Sequence, residues 1–444
     1  MKRQFQNIAY LLFLLAAVAP VGLKAQVVQG QIPYLRPYDK TGINVFESSK
    51  KDSLPFDGVK VRIGAGFTQE FQNLKEKNWI GELSNNGLYA ISPGFNQAEA
   101  NLYTDFLLAD GIHLNVALYL STRHHNETWV RGGYLQFNKL PFKGQVWSDI
   151  MKYTTIKLGQ FEINYGDQHF RRTDGGHALY NPFIENYIVD AFATEIGGEV
   201  TVQKNGLFGM VGLTNGMLKA SIDSVAKTAQ NGAIHKNPAV YAKIGIDRQV
   251  SELVRLRFSA SGYHIASSPS NDLYFGDRAG SSYWMVMEKP YVVPASGTSA
   301  YEGDAFSGRL NPGFGYKVDA AMFNAFAKIA GLELFGTYEY GQGRGTTETV
   351  NRHFNQYAVD GVYRFGHKEN LFVGARYNGV TAELKGLNNA ITVNRFAGSA
   401  GWFLTKNVLL KCEYVTQSYV DFPTSDYRSG GKFNGYVIAA TVGF

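Results

Sequence analysis

Cationic side chains recur on one face of alternating segments along this chain. Arg255 and Arg257 lie two positions apart, so on a strand they share a face. Lys157, Lys243, Arg364, Arg376 and Arg395 occupy equivalent faces of other alternating runs. Arg171 and Arg172 stand in a long connection, 164–192, beside His169, Asp174, His177, Tyr180 and Glu185. Grouped Lys and Arg at an aqueous surface favour anions. The same faces carry Glu99, Asp105, Glu195, Glu199, Asp247, Asp319, Glu333, Glu339, Asp360 and Glu413. A face with both signs is wet, and many of its charges pair across strands. Arg255 and Arg257 are a local excess on a nearly balanced surface.

Other chemistry is poorly supported. His113, Asn115 and Ser121 share a face, but Ser121 lies too far along the strand for a nucleophile–base contact. His124-His125 has no third ligand at a telling spacing, so no metal is expected. Gly341-Gln342-Gly343-Arg344-Gly345 follows a strand and opens no helix, which defeats a phosphate-cradle reading. No cofactor is expected.

The elements that position these residues are strands. Ile112, Leu114, Val116, Leu118 and Leu120 alternate with His113, Asn115, Ala117, Tyr119 and Ser121, directly after the tight-turn pair Asp110-Gly111. Tyr436, Ile438, Ala440, Val442 and Phe444 repeat the rhythm in the last segment. With 49 Gly, 14% aromatic and only 18% charged residues, the composition is that of β structure with many turns. The single cysteine, Cys412, excludes an intramolecular disulfide framework and fits a small apolar strand residue.

A basic start (Lys2, Arg3), an apolar run 8–18 and Leu23-Lys24-Ala25 predict a secretory signal over 1–25. Beyond it no apolar stretch is long enough for a spanning helix. Losing the signal leaves a net charge of about +3, too little to argue for nucleic acid. Residues 26–58, with Pro33, Pro37 and Pro55, are expected to form a periplasmic lead-in. Residues 59–444 hold sixteen alternating segments, with fourteen or eighteen inside the softness of the boundaries. Short turns follow every even-numbered segment and longer connections every odd one. That parity predicts an all-β, antiparallel transmembrane barrel with short periplasmic turns and long extracellular loops, because a sheet in lipid must close on itself. The connection 164–192 is long enough to fold inward and narrow the lumen, or to lie outside it.

Lys157-Leu158-Gly159-Gln160-Phe161 with Gly166-Asp167, Asn181-Pro182, Leu213-Thr214-Asn215-Gly216, Gly331–Gly336 with Glu339, and the closing Phe444 together resemble the phosphate-selective porin O and P family, in its Bacteroidetes form. The resemblance implies a sixteen-stranded, usually homotrimeric porin in the outer membrane of a Gram-negative bacterium. Small hydrophilic solutes or anions would pass passively, and the barrel-assembly machinery would read the last strand through Phe444. The basic ladder behind phosphate specificity does not match residue by residue. The nine cations of the opening paragraph are the pore-lining and constriction candidates. A barrel carrying less polar substrates and a barrel enzyme are the alternatives.

Overall fold

The computed structural model describes residues 31–79, 87–120, 128–173, 177–218, 222–275, 282–289 and 308–444. The expected signal segment, Asp174 and His124-His125 fall outside them. Sixteen strands form one closed antiparallel sheet. They are β1 (Lys60–Lys77), β2 (Glu99–Ala109), β3 (Ile112–Tyr119), β4 (Trp129–Phe137), β5 (Thr154–Glu162), β6 (Thr194–Lys204), β7 (Leu207–Thr214) and β8 (Ala239–Gln249). They continue as β9 (Val254–Ile265), β10 (Lys317–Ile329), β11 (Leu332–Arg344), β12 (Arg352–Phe365), β13 (Leu371–Ala382), β14 (Ile391–Thr405), β15 (Val408–Val420) and β16 (Lys432–Gly443). Each pairs with its sequence neighbours, and β1 closes the ring against β16 from Gly66↔Gly443 to Lys77↔Lys432. Closure leaves no strand edge facing lipid, where an unmet backbone group would cost several kcal/mol.

The expected strand count and order hold, and the connection parity holds after every even-numbered strand except β4. The correction falls between β4 and β5, where the expected short turn is a longer connection, 138–153, that contains a short helix, α1 (Gln145–Met151).

The two-residue side-chain period separates two solvents. On β12, Tyr357, Val359, Tyr363 and Phe365 face outward and exposed, while Gln356, Ala358, Asp360 and Val362 face inward and buried. Toward the long-loop end the outer face carries a tyrosine girdle tied to asparagines on adjacent strands. Tyr338 donates to Asn355 at 2.8 Å and Tyr377 to Asn394 at 3.0 Å, while Asn434 donates to Tyr414 at 3.3 Å and Asn73 to Tyr436 at 3.2 Å. Amphipathic rings at this height mark the membrane–water boundary. Asp319 is a further correction: the burial of Val318, Ala320 and Met322 puts it on the outer face.

The main apolar core lies inside the barrel. Tyr165, Ile184, Ile188 and Val189 of the β5–β6 connection pack there with Leu273, Tyr274, Tyr283, Val286 and Phe314 of the β9–β10 connection. The described residues of both connections fold inward. Tyrosine hydroxyls from them reach carboxylates of the wall, with Tyr165 and Tyr274 donating to Glu339 at 3.2 and 3.0 Å and Tyr283 donating to Glu413.

Residues 31–57 cross the short-turn mouth as a collar. Tyr34 lies against His113 of β3, and Tyr38 donates to Asp105 of β2 at 2.9 Å. Lys40 bonds the turns after β12 and β14, and Asn44 donates to Glu333 of β11 at 2.5 Å. Glu47 meets Arg257 of β9, and Lys50 donates to the Asn138 and Thr154 carbonyls at the ends of the β4–β5 connection. The segment expected as a lead-in thus circles the mouth, and Phe170 and Arg171 of the inward connection reach its centre.

Candidate functional site: the remaining lumen

The inward connections and the collar leave a cavity of about 230 Å³ between the β1–β6 wall and the β5–β6 connection. Its wall side is built by Arg62, Asp105, Arg131, Tyr134, Lys157, Glu162 and Glu199, and its inner side by Arg36, Tyr38, His169, Arg172, His177 and Phe192.

Two glycines of the β5 motifs make this geometry. Gly159 has φ +141°, and a Cβ there would collide with the Gly133 carbonyl oxygen and the Cα of Tyr134. β5 can therefore press against β4 only with glycine at this position. Gly166, with φ +71°, turns the chain back into the lumen, where a Cβ would meet the Met322 sulfur.

Ion pairs line the cavity. Arg62 reaches Asp105 at 2.6 Å, and Asp105 also accepts from Asn115 at 2.6 Å. Arg131 meets Glu162 at 3.1 Å, His169 meets the same carboxylate at 2.7 Å, and Arg172 meets Asp190 at 2.9 Å. Three donors are less committed. Lys157 has Glu199 at 3.7 Å and no hydrogen bond among the described residues; the Tyr134 hydroxyl and the His177 ring have none there either. Arg36 lies 3.8 Å from the Tyr180 ring centroid and donates to the carbonyls of Gly42 and Phe170, both at 2.9 Å. Burial, reinforced by Arg131 and Arg36, pushes the His177 imidazole down to about 3, so it is neutral at physiological pH.

Of the nine expected lining cations, Lys157 and Arg172 border the cavity. Of the other seven, six bind the filling to the wall or to itself, and Arg364 pairs within the wall. Arg257 contacts Asp167 at 2.8 Å and Glu47 at 2.7 Å, and Lys243 contacts Asp167 at 3.0 Å. Arg255 holds Asp247 at 2.7 Å and donates to the Asn44 carbonyl at 3.0 Å. Arg171 donates to Asn44 at 2.7 Å, and Arg364 pairs with Glu333 at 2.7 Å. Arg376 pairs with Asp360 at 2.7 Å and donates to the Glu185 carbonyl at 2.8 Å, while Arg395 donates to the Asn186 carbonyl at 2.6 Å. Burial raises the Glu47 carboxyl, but Arg257 and Lys243 outweigh it and hold the group below its ordinary range. The arrangement can pass or hold a small polar solute against paired charges and a few free donors. Sequence reasoning missed Arg36, Arg131, Tyr134 and Glu162 as lining groups; the β5 glycine motif was the signal nearest to them.

No protein-family model matches the chain, and no curated protein matches it in sequence. Solved structures do match in shape. The anion-selective porin from Comamonas acidovorans superposes with a TM-score of 0.51 at 9% identity, over 87% of this chain and all of that one. The outer-membrane channel DcaP of Acinetobacter baumannii gives 0.49 at 13% identity, over 88% of this chain and 99% of that one. OmpF of Salmonella typhi gives 0.48 at 12%, over 88% and 100%. The closed sixteen-strand barrel, apolar outside and charged within, has the fold of the outer-membrane porins.

Proposed function

We propose that this protein is an outer-membrane porin of a Gram-negative bacterium, through which small hydrophilic solutes diffuse passively along the β1–β6 side of the lumen. The observation that carries this reading is the charge-lined cavity between wall and inward connection inside a closed barrel. Lys157 offers it a cationic donor held by one long ion pair, while Tyr134 and the neutral His177 ring can each donate or accept; the cationic excess at Lys157 supports a mild anion preference. The glycines at 159 and 166 sit where the phosphate-selective porin O and P resemblance has its landmarks, and each stands at a positive φ where a side chain collides. They support membership of that family without its phosphate ladder. A homotrimer, and recognition of β16 with Phe444 by the assembly machinery, belong to the same reading.

Single-channel recording of the refolded protein in planar bilayers under a salt gradient tests it. Small, steady conductance steps with a reversal potential on the anion side are expected. A folded, heat-modifiable barrel that conducts nothing would overturn the diffusion reading, and a cation-side reversal would overturn the preference.

A further inference from the structure

Among the described residues, the β4–β5 connection is the one at the short-turn end that carries a helix, and the apolar face of α1 is largely uncovered. At 100° per residue, Val146, Ile150, Trp147 and Met151 fall in one arc. Met151 is buried against the barrel, whereas Val146 is 68%, Trp147 43% and Ile150 47% exposed. Phe142, just before the helix, is 57% exposed, and its ring centroid lies 5.4 Å from that of Trp147.

The surroundings say what covers this face. Tyr153 follows the helix, and the Lys204 ammonium lies 4.9 Å from its ring centroid. Lys204 shares strand parity with the outward-facing Val200 and Val202, so the helix ends on the lipid side of the wall. The patch therefore continues the outward apolar belt at its short-turn edge. Lys143 and Lys152 are also exposed here, while Asp149 is engaged by Gln145 at 2.9 Å.

We propose that α1 is an interfacial anchor. Its uncovered face lies at the headgroup–acyl boundary of the periplasmic leaflet, with Lys143, Lys152 and Lys204 set against anionic phospholipid headgroups. The proposal rests on the membrane-barrel reading. It is carried by continuity with the lipid-facing belt and by charge complementarity: a short amphipathic helix with Trp on its apolar side and Lys around it partitions to that depth.

The test uses the full chain refolded into phosphatidylcholine vesicles with and without phosphatidylglycerol, their acyl chains brominated near the headgroup. The fluorescence difference between wild type and Trp147→Phe isolates Trp147. Bromine quenching of that difference is expected, with acrylamide quenching at least about threefold below that of free tryptophan. The triple variant Lys143→Gln, Lys152→Gln, Lys204→Gln should lose the increase in bromine quenching that phosphatidylglycerol produces. Acrylamide quenching like that of free tryptophan, or shielding from both quenchers by a second copy or another protein, would overturn the anchor. An unchanged phosphatidylglycerol effect in the triple variant would overturn the headgroup part. Trp147→Phe should conduct like wild type. Loss of heat-modifiability and conductance in the wild type itself counts against the barrel reading, not against the anchor.

Discussion

At the residue scale, the lumen works through paired charges. Arg257 is 1% exposed and joins Asp167 of the inward connection to Glu47 of the collar. Removing one partner of such a network strands the others, so Arg257→Met should lower unfolding stability by about 3 kcal/mol, read from denaturant titration in lipid. Glu47 gives the pH dependence of the collar. Its carboxyl is held below the ordinary value of 4.5, so its contribution to docking is complete above that value and is lost as pH falls through the depressed one. Protease cleavage within 31–57 should therefore rise on acidification below the ordinary value of 4.5 and be unchanged between about pH 6 and 8. Lys157 has a different task because it faces the cavity with a single long ion pair. Lys157→Glu should move the reversal potential toward cations while leaving the heat-modifiable band intact.

At the scale of elements, the collar and the inward connection set the bore. The collar touches the wall through β2, β3, β9 and β11 and through the connections after β4, β12 and β14, and it narrows the short-turn mouth around Phe170 and Arg171. Deleting 31–57 should raise single-channel conductance by at least about twofold, since a wider mouth lowers the access barrier. Glycine at 159 is the local device that brings β5 against β4. Gly159→Ala should destabilise by more than about 1 kcal/mol, because it adds a left-handed backbone cost to a backbone collision. The helix α1 lay hidden because two turns of mixed residues carry no sustained period; strand alternation over ten or more residues carries a much stronger one.

At the scale of the whole molecule, closure couples every strand to two neighbours, and the ring is sealed by β1 against β16. Gln69 and Ala440 stand opposite each other in that seam, both on the outer face. A Gln69→Cys, Ala440→Cys pair in a Cys412→Ala background should form a disulfide on oxidation of the folded barrel, seen as a mobility shift on gels. An open or differently registered seam would leave both thiols free. The fold, with its strand order and parity, was legible in the sequence because lipid imposes a two-residue period on every strand. The contents of the lumen were not. Arg364, Arg376 and Arg395 look alike whether they face water or a folded-in chain, and alternation cannot distinguish the two.

The sequence alone therefore determined a closed, even-numbered, lipid-facing barrel with charged residues inside, because each of those properties follows from a local period and from the order of turns. Only the tertiary structure decided which of the charges meet solute. That depends on where residues 31–57, 163–173 and 177–193 come to rest, through contacts between groups as far apart in the chain as Asn44 and Glu333 or Ile184 and Glu413. Such contacts follow from three-dimensional packing of buried donors and acceptors, each of which must find a partner once water is excluded, and no local spacing encodes them.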